Sequence, residues 1–324
     1  MRLADAKGEE GSKSSQPKHY VWLLLKIAIS VVILFWLLWR FRNDIPSLST
    51  IDRWSAAEAT ALLLLQPALI GVRWWLLLRQ YDSPSRLSTL TSVTWVSVFA
   101  NQFLPAGVGG DAVRILYARK LGNALGSAAA SVLMDRIMAL VALALLIVIL
   151  TPQLPVAIDH RLIIAAGLAC AFGVAVLVGL YVYVTKSDGA KLPPALRRIL
   201  HLVVYVLRIF SHRSALAAAV ALSILVHLLS FAAFLIIVRG LGIDVPTMPF
   251  LAVAALLTFI QIIPISIGGW GVREMAAVSL LGMLGVEPGP ALLASLLVGV
   301  CYAAASLPGA LLWPFLSASR HKAA

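Results

Sequence analysis

Residues 264–274 read PISIGGWGVRE and interrupt an apolar run in which a helix would otherwise continue. Proline lacks the N–H group that a continuing helix needs, and three glycines loosen the backbone further. Residues 105–114 read PAGVGGDAVR, so the pattern PxxxGGxxxR occurs twice. Broken backbone at membrane depth is tolerated only where protein or a water-filled cavity covers it. The two stretches therefore predict two broken helices beside a functional site, the plainer alternative being two ordinary kinks.

The composition is that of a polytopic helical membrane protein. Of the 324 residues, 61% are hydrophobic and only 12% are charged, and the mean hydropathy is +0.95. No stretch is long and polar enough to form a separate soluble domain. The net charge of +12 comes from basic residues at predicted helix ends, where membrane topology and anionic lipid headgroups account for them. We therefore expect no nucleic-acid partner.

The patterns of common cofactor and metal sites are missing from the sequence. It contains no metal-ligand spacing, no phosphate-binding loop and no GxSxG elbow. Cys170 and Cys301 both lie in apolar runs and are expected to be packed thiols. We expect no cofactor and no bound metal.

In chain order, the pattern predicts an all-α integral membrane protein with about six full transmembrane helices and two broken or re-entrant helical hairpins. A disordered cytoplasmic tail at 1–19 should precede a single membrane domain at 20–324. The full spans are predicted at 20–39, 56–78, 127–150, 162–184, 215–238 and 291–316. The broken hairpins are predicted to pair 87–104 with 112–118 and 247–263 with 275–284, and the heptad-like pattern from Arg197 to His212 predicts an interfacial amphipathic helix.

Basic residues set the predicted orientation. The connection 185–213 is the most basic, whereas 151–160 and 240–246 carry no lysine or arginine. This asymmetry places both termini in the cytoplasm of a bacterial-type inner (plasma) membrane. Repeats at about 56–150 and 215–316 would then be inverted, the architecture of alternating-access transporters. The topology leaves open whether each hairpin is re-entrant or crosses twice.

Three motifs resemble those of the lysylphosphatidylglycerol synthase transmembrane-domain family, also called flippase-like. They are NQFLPAGVGGD at 101–111 followed by Arg114, the pair Asp135-Arg136, and the stretch from 263 to Glu274. The resemblance implies lipid handling, which in the best-known members is translocation of an aminoacylated phosphatidylglycerol. Those members carry an additional soluble aminoacyl-transferring domain, so we do not expect synthase activity here. Other members are tied to isoprenoid or hopanoid lipids, which leaves the substrate open.

The candidate site residues flank the breaks. Arginine suits a phosphate through its planar fork, and intramembrane charge points to function. The substrate-binding candidates are Arg114, Arg136, Arg273, Gly109, Gly110, Gly268 and Gly269. The candidates for charge partners or a proton relay are Asp111, Asp135, Glu274 and His227.

Plainer roles are open for several of these residues. The charged groups could be ion pairs that hold the bundle, and His227 could make only an interhelical hydrogen bond. Arg73 is predicted to snorkel to the interface. Asn101 and Gln261 precede the breaks and are expected to cap freed backbone groups.

The function that the sequence favours is translocation of an anionic or phosphate-bearing lipid between leaflets, without enzymatic change. One alternative is a membrane-embedded transferase that uses a lipid-linked donor. That activity needs an acidic pair in an exposed loop, an arrangement that Asp44 and Asp52 do not offer. Another alternative is an accessory subunit of a lipid-modifying complex. The expected partner is a membrane lipid with an anionic headgroup, and the sequence leaves open whether the chain forms a homo-oligomer.

Overall fold

The computed structural model describes residues 16–47, 52–103, 109–155, 212–262 and 269–318, and this part of the chain is helical without strands. Its α-helices are α1 (Gln16–Arg40), α2 (Arg53–Leu78), α3 (Leu87–Phe103), α4 (Gly109–Lys120), α5 (Leu125–Leu150), α6 (Arg213–Gly240), α7 (Thr247–Ile260), α8 (Val272–Gly282) and α9 (Pro288–Ala318). Outside the described residues lie 1–15 of the predicted tail, the predicted span 162–184, the predicted amphipathic helix up to 211, and the tips of both breaks.

Within the described ranges, four helices are long and apolar enough to cross a membrane, by length and composition. They cover Arg53–Tyr81, Leu125–Gln153, Arg213–Gly240 and Pro288–Leu316, with 28 or 29 residues each. At ~1.5 Å per residue each exceeds the ~30 Å of a bilayer core. The apolar part of α1 that can be assessed, Ile27–Arg40, is shorter. The structure thus confirms the all-helical membrane class, and four of the predicted spans coincide with helices of sufficient length.

Large apolar side chains on the outer surface indicate which faces meet lipid. Phe35 on α1 is 70% exposed, Ile149 on α5 is 65% exposed and Leu311 on α9 is 72% exposed. Such side chains are costly in water at this density but are the ordinary surface of a helix in a bilayer. Inside the bundle, Phe231, Phe234 and other apolar residues form the core.

The two broken elements are each made of two short helices. With 12 and 11 residues, α4 and α8 are too short to cross ~30 Å alone. Helix α4 begins at Gly109, three residues before the predicted start, because the side chain of Asn101 holds its first turn. Asn101 Oδ1 accepts a hydrogen bond from the Gly110 N–H at 2.8 Å, which confirms the predicted cap. A Cβ on Gly110 would overlap the Ser97 carbonyl oxygen, so a glycine is needed where α3 and α4 approach.

The second break is built in a similar way. Gly269 has a φ of +82°, and a Cβ there would lie 3.3 Å from Gln261 Oε1. The two breaks therefore share one feature. In each, an amide side chain at the end of the first short helix lies against the second glycine of the glycine pair. Gln261 donates its own hydrogen bond to the Leu257 carbonyl rather than capping the far side of the break.

Helices α2 and α6 pack against each other in opposite directions and form the most extensive helix pair of the described part. The Asp52 N–H, just before α2, donates to the Gly240 carbonyl at the end of α6 at 3.1 Å. Further along α2, Gln66 donates to the Ser230 hydroxyl at 2.7 Å. The two halves of the chain also interlock, because α3 packs on α9 and α5 packs on α7.

The start of α2 carries an exposed cap. The carboxylate of Asp52 accepts from the Trp54 and Ser55 N–H groups and from the Ser55 hydroxyl, the last at 2.8 Å. The hydrogen bond from the Ser55 hydroxyl, followed by that from the Trp54 N–H, lowers the pKa of Asp52 below its usual value. The cap satisfies N–H groups that the first turn of a helix otherwise leaves free.

Candidate functional site

A buried ion pair joins α2 to α5. Arg73 donates from Nε to Asp135 Oδ1 at 2.6 Å and from Nη2 to Oδ2 at 3.0 Å. Its third nitrogen, Nη1, donates to the Ser223 hydroxyl on α6 at 2.7 Å. Arg73 is 4% exposed and Asp135 is 1% exposed. The prediction that Arg73 snorkels to the interface is therefore wrong, because a carboxylate on the neighbouring helix compensates its charge inside the bundle.

Arg114, on α4, lies against the same carboxylate. Its Nη1 donates to Asp135 Oδ2 at 2.8 Å, so this aspartate bridges two arginines. The guanidinium carbon lies 4.5 Å from the centre of the Trp74 ring, within the range of a cation–π contact. The Trp74 indole N–H is fixed in turn by the Ser131 hydroxyl at 3.0 Å. Arg114 is 3% exposed and is thus held by charge and by an aromatic face.

Three buried donor atoms of the described residues flank the first break. Among the residues that the structure describes, Arg114 Nε, Arg114 Nη2 and Gln102 Nε2 make no hydrogen bond. Gln102 ends α3 and Arg114 lies in the second turn of α4, so both residues flank the break. Buried polar groups in proteins almost always have a hydrogen-bond partner, so these three atoms need an explanation.

An outer ion pair borders this cluster. Arg136 donates from Nε and Nη2 to the two oxygens of Asp111, at 3.0 and 3.2 Å. The Arg136 side chain is 49% exposed and the Asp111 side chain 18% exposed. Asp111 also lies 3.9 Å from Arg114 Nη1, which connects the outer pair to the buried one. We call Arg73, Arg114, Arg136, Asp111 and Asp135 the first cluster; three arginines against two aspartates leave it with one positive charge.

The second break carries a closed, neutral pair. Arg273 donates to Glu274 Oε1 from Nε at 2.9 Å and from Nη2 at 2.6 Å. Glu274 Oε2 accepts from the Gly271 N–H at 2.6 Å, and Ser295 on α9 donates to Oε1 at 3.3 Å. Arg273 lies 4.5 Å above the ring of Trp270, as Arg114 lies above Trp74. We call Arg273 and Glu274 the second pair; they are 2% and 0% exposed.

A cavity of about 290 Å³, counting its open mouth, adjoins the second pair. Arg273 lines it together with Ser230, Thr258, Gln261 and Tyr302, and apolar side chains complete the wall. Ser230 also accepts the hydrogen bond from Gln66, one heptad before Arg73 on α2. The α2–α6 contact therefore runs from the first cluster to the wall of this cavity.

The remaining predicted site residues are placed as follows. His227 lies on α6, where its Nε2 is 3.0 Å from the Ala139 carbonyl of α5, as an interhelical hydrogen bond requires. Gly109 and Gly110 form the first turn of α4. Gly269 lies in the turn before α8, and Gly268 lies outside the described residues. The structure thus brings together Arg114, Arg136, Asp111 and Asp135, and places Arg273 with Glu274 at the other break.

Sequence reasoning missed Arg73 and Gln102 as site residues. Arg73 is 62 positions from Asp135, and nothing in local spacing reveals that contact. Gln102 is part of the motif before the first break, so its polarity beside a predicted interruption was an available signal. Within the described ranges, no group of three or more His, Cys, Asp or Glu side chains could hold a metal ion.

These features define a multi-pass helical membrane protein with two interrupted helices, each carrying a buried arginine bound to a carboxylate. The chain belongs to the family described as lysylphosphatidylglycerol synthase TM region, whose model matches residues 23–309. The match covers the transmembrane region and includes no soluble domain. Comparison with curated proteins gave no significant match.

Proposed function

We propose that this protein translocates a membrane lipid with an anionic or phosphate-bearing headgroup between leaflets, leaving the lipid chemically unchanged. The observation that carries the proposal is the first cluster, in which Arg73, Arg114 and Asp135 are buried. The cluster has one excess positive charge, and two donor atoms of Arg114 have no partner among the described residues. Burying a charge without compensation is costly, and the cost is greatest in the low-dielectric interior of a membrane protein. An anionic headgroup would supply both the missing charge and the missing acceptors.

The arrangement of helices supports a transport mechanism. The order of a long helix, two short helices and a long helix occurs twice, in α2 to α5 and again in α6 to α9. The first helices of the two sets, α2 and α6, run antiparallel. We propose that the sets are inverted repeats related by a two-fold axis in the membrane plane. In such proteins, rocking of one repeat against the other exposes a central site to each side in turn.

The α2–α6 contact is suited to this motion. Its polar links, Gln66 to Ser230 and Arg73 to Ser223, are seven residues apart on both helices and therefore lie on one face of each. They are a small number of hydrogen bonds that could exchange as the repeats move. The proposal includes a bacterial-type plasma membrane location with both termini in the cytoplasm, and it leaves the oligomeric state open to a homo-oligomer.

Reconstitution in liposomes tests the proposal. The purified protein should redistribute a fluorescent anionic phospholipid between leaflets, as measured by quenching of the outer-leaflet dye, and no new lipid species should form. Arg114→Gln should abolish the redistribution because it removes the unpartnered edge and the excess charge. Arg79→Gln is the matched control, since Arg79 also lies over a tryptophan ring, at 5.1 Å from Trp75, but is exposed.

Two results would contradict the proposal. One is redistribution that is no faster than in protein-free liposomes under conditions where the protein is folded. The other is Arg114→Gln matching the Arg79→Gln control. A chemically modified lipid that disappears in Asp111→Asn would instead favour the transferase alternative.

A further inference from the structure

One edge of the guanidinium group distinguishes Arg114 from the other arginines of the two sites. Arg73, Arg136 and Arg273 each bind a carboxylate through the edge that carries Nε and Nη2. In Arg114 the same two atoms are buried and have no partner among the described residues. Its carboxylate contact uses Nη1 instead. The edge that binds a carboxylate in three arginines therefore has no carboxylate partner among the described residues in the fourth.

The geometry of this edge specifies the kind of ligand that fits. Two parallel N–H groups bind two oxygens of one planar or tetrahedral anion, as a carboxylate or a phosphate offers. On the other side of the same break, Gln102 Nε2 is a further buried donor without an acceptor in the described part of the chain. All three atoms are donors, so a ligand that contacts them must offer acceptor oxygens there.

The charge of the two sites specifies how many negative charges the ligand carries. The second pair, one arginine against one glutamate, is neutral without a ligand. The first cluster has three arginines and two aspartates, so one negative charge makes it neutral. A second negative charge would be left unbalanced in the protein interior, where uncompensated charge is strongly disfavoured.

We propose that the Nε–Nη2 edge of Arg114 binds the phosphodiester group of a phospholipid that carries a single negative charge. The proposal rests on the proposed lipid function and adds the substrate class: a phosphodiester, with two free oxygens and one charge, is selected over a phosphomonoester or a diphosphate. The single excess charge of the cluster determines this selection, and Asp111 and Arg136, which cancel each other at its accessible rim, are the positions where that charge can be changed. Arg273, already bound to Glu274 on the same edge, holds the second break together and does not bind the phosphate.

Binding measurements on the full-length protein in detergent test the selection. The probes are dioleoyl phosphatidylglycerol, a phosphodiester with one charge, and dioleoyl phosphatidic acid at pH 8, a phosphomonoester with about two charges. Dimethyl phosphate is the soluble phosphodiester that tests whether the lipid is needed. Phosphatidylglycerol should bind at least about tenfold more tightly than phosphatidic acid, since one unbalanced buried charge costs more than the free energy of a tenfold change in Kd.

Three variants alter the charge of the cluster stepwise. Asp111→Asn raises the excess from one positive charge to two and should reverse the preference toward phosphatidic acid. Arg136→Gln removes the excess and should weaken phosphatidylglycerol binding at least about tenfold. The double variant Asp111→Asn, Arg136→Gln has the original excess of one positive charge. It should recover the original preference for phosphatidylglycerol over phosphatidic acid. Both side chains are partly exposed, so these variants disturb packing less than changes at Asp135 would.

Specific results would overturn the inference. A preference that is the same in all three variants and the parent would show that cluster charge does not select the lipid. Loss of binding in the double variant, with an unchanged circular dichroism spectrum, would show that the two side chains act by direct contact. Equal affinity for dimethyl phosphate and phosphatidylglycerol would assign the site to a free phosphate compound. Translocation without charge preference would refute only this selection, whereas absence of both binding and translocation would refute the proposed function as well.

Discussion

The second pair allows a stringent test of how buried charge stabilises this bundle. Glu274 is 0% exposed and accepts four hydrogen bonds, of which two come from Arg273 and the others from the Gly271 N–H and the Ser295 hydroxyl. Glu274→Gln preserves the shape but introduces an amide N–H₂ among groups that are all donors. It also leaves the Arg273 charge uncompensated. Breaking a buried ion pair in this way costs about 3–5 kcal/mol, which is the loss in unfolding free energy that we expect.

The measurement is unfolding by sodium dodecyl sulfate in mixed micelles, followed by circular dichroism. Glu287→Gln is the matched control, because Glu287 is exposed just before α9 and its change should cost no more than about 0.5 kcal/mol. The double variant Arg273→Gln, Glu274→Gln restores charge balance, so it should be more stable than the sum of the single changes by about 1–3 kcal/mol. A loss below about 1 kcal/mol for Glu274→Gln, or strict additivity in the double variant, would refute the reasoning.

Three more predictions concern packing, the first cluster and the cap of α2. Gly110→Ala should destabilise the protein by about 1–3 kcal/mol because its Cβ would overlap the Ser97 carbonyl, whereas Gly282→Ala, with no atom within 4 Å of the new Cβ, should be neutral or slightly stabilising in the same unfolding assay. Arg73→Lys keeps the charge but loses the two-point contact with Asp135, and a loss of roughly 1–3 kcal/mol is expected; a stability equal to that of the parent would show that charge alone suffices. The pKa of Asp52 is lower in the folded protein, so its contribution to stability is present above the unfolded pKa of about 3.9. That contribution is lost as the pH falls through the lower folded value. The stability of Asp52→Asn should therefore be less sensitive to acid between pH 6 and pH 3 than that of the parent.

The broken helices could be located from the sequence because their signals are local. Proline and paired glycines interrupt a helix wherever they occur in an apolar run, and α3, α4, α7 and α8 end or begin beside them. The start of α4 was predicted three residues late, since the sequence does not show that a side chain eight residues upstream of Gly109 closes its first turn. Local pattern thus identifies the interruption but not its exact closure.

The partners of the charged residues could be predicted only in part. Asp135 and Arg136 adjoin in sequence, yet they bind different partners, because consecutive residues of a helix point about 100° apart. Arg73 was predicted to be interfacial because it lies near the end of an apolar helix. That position is equally compatible with a snorkelling side chain and with a buried one. The distinction depends on which helix packs beside it, and that information is tertiary.

The way the two sites are assembled has a consequence for biosynthesis. Each charged residue of the first cluster comes from the segment between α2 and α5, and the second pair consists of neighbours in the chain. A charge at the centre of an inserting helix costs about 2.5–3.5 kcal/mol on the scale measured for translocon insertion. Arg73 can meet Asp135 before α6 has been synthesised, and Arg273 meets Glu274 as soon as both leave the ribosome. The growing chain can therefore compensate most of its intramembrane charge within each half, and the α2–α6 contact needs to form only after both halves are in the bilayer.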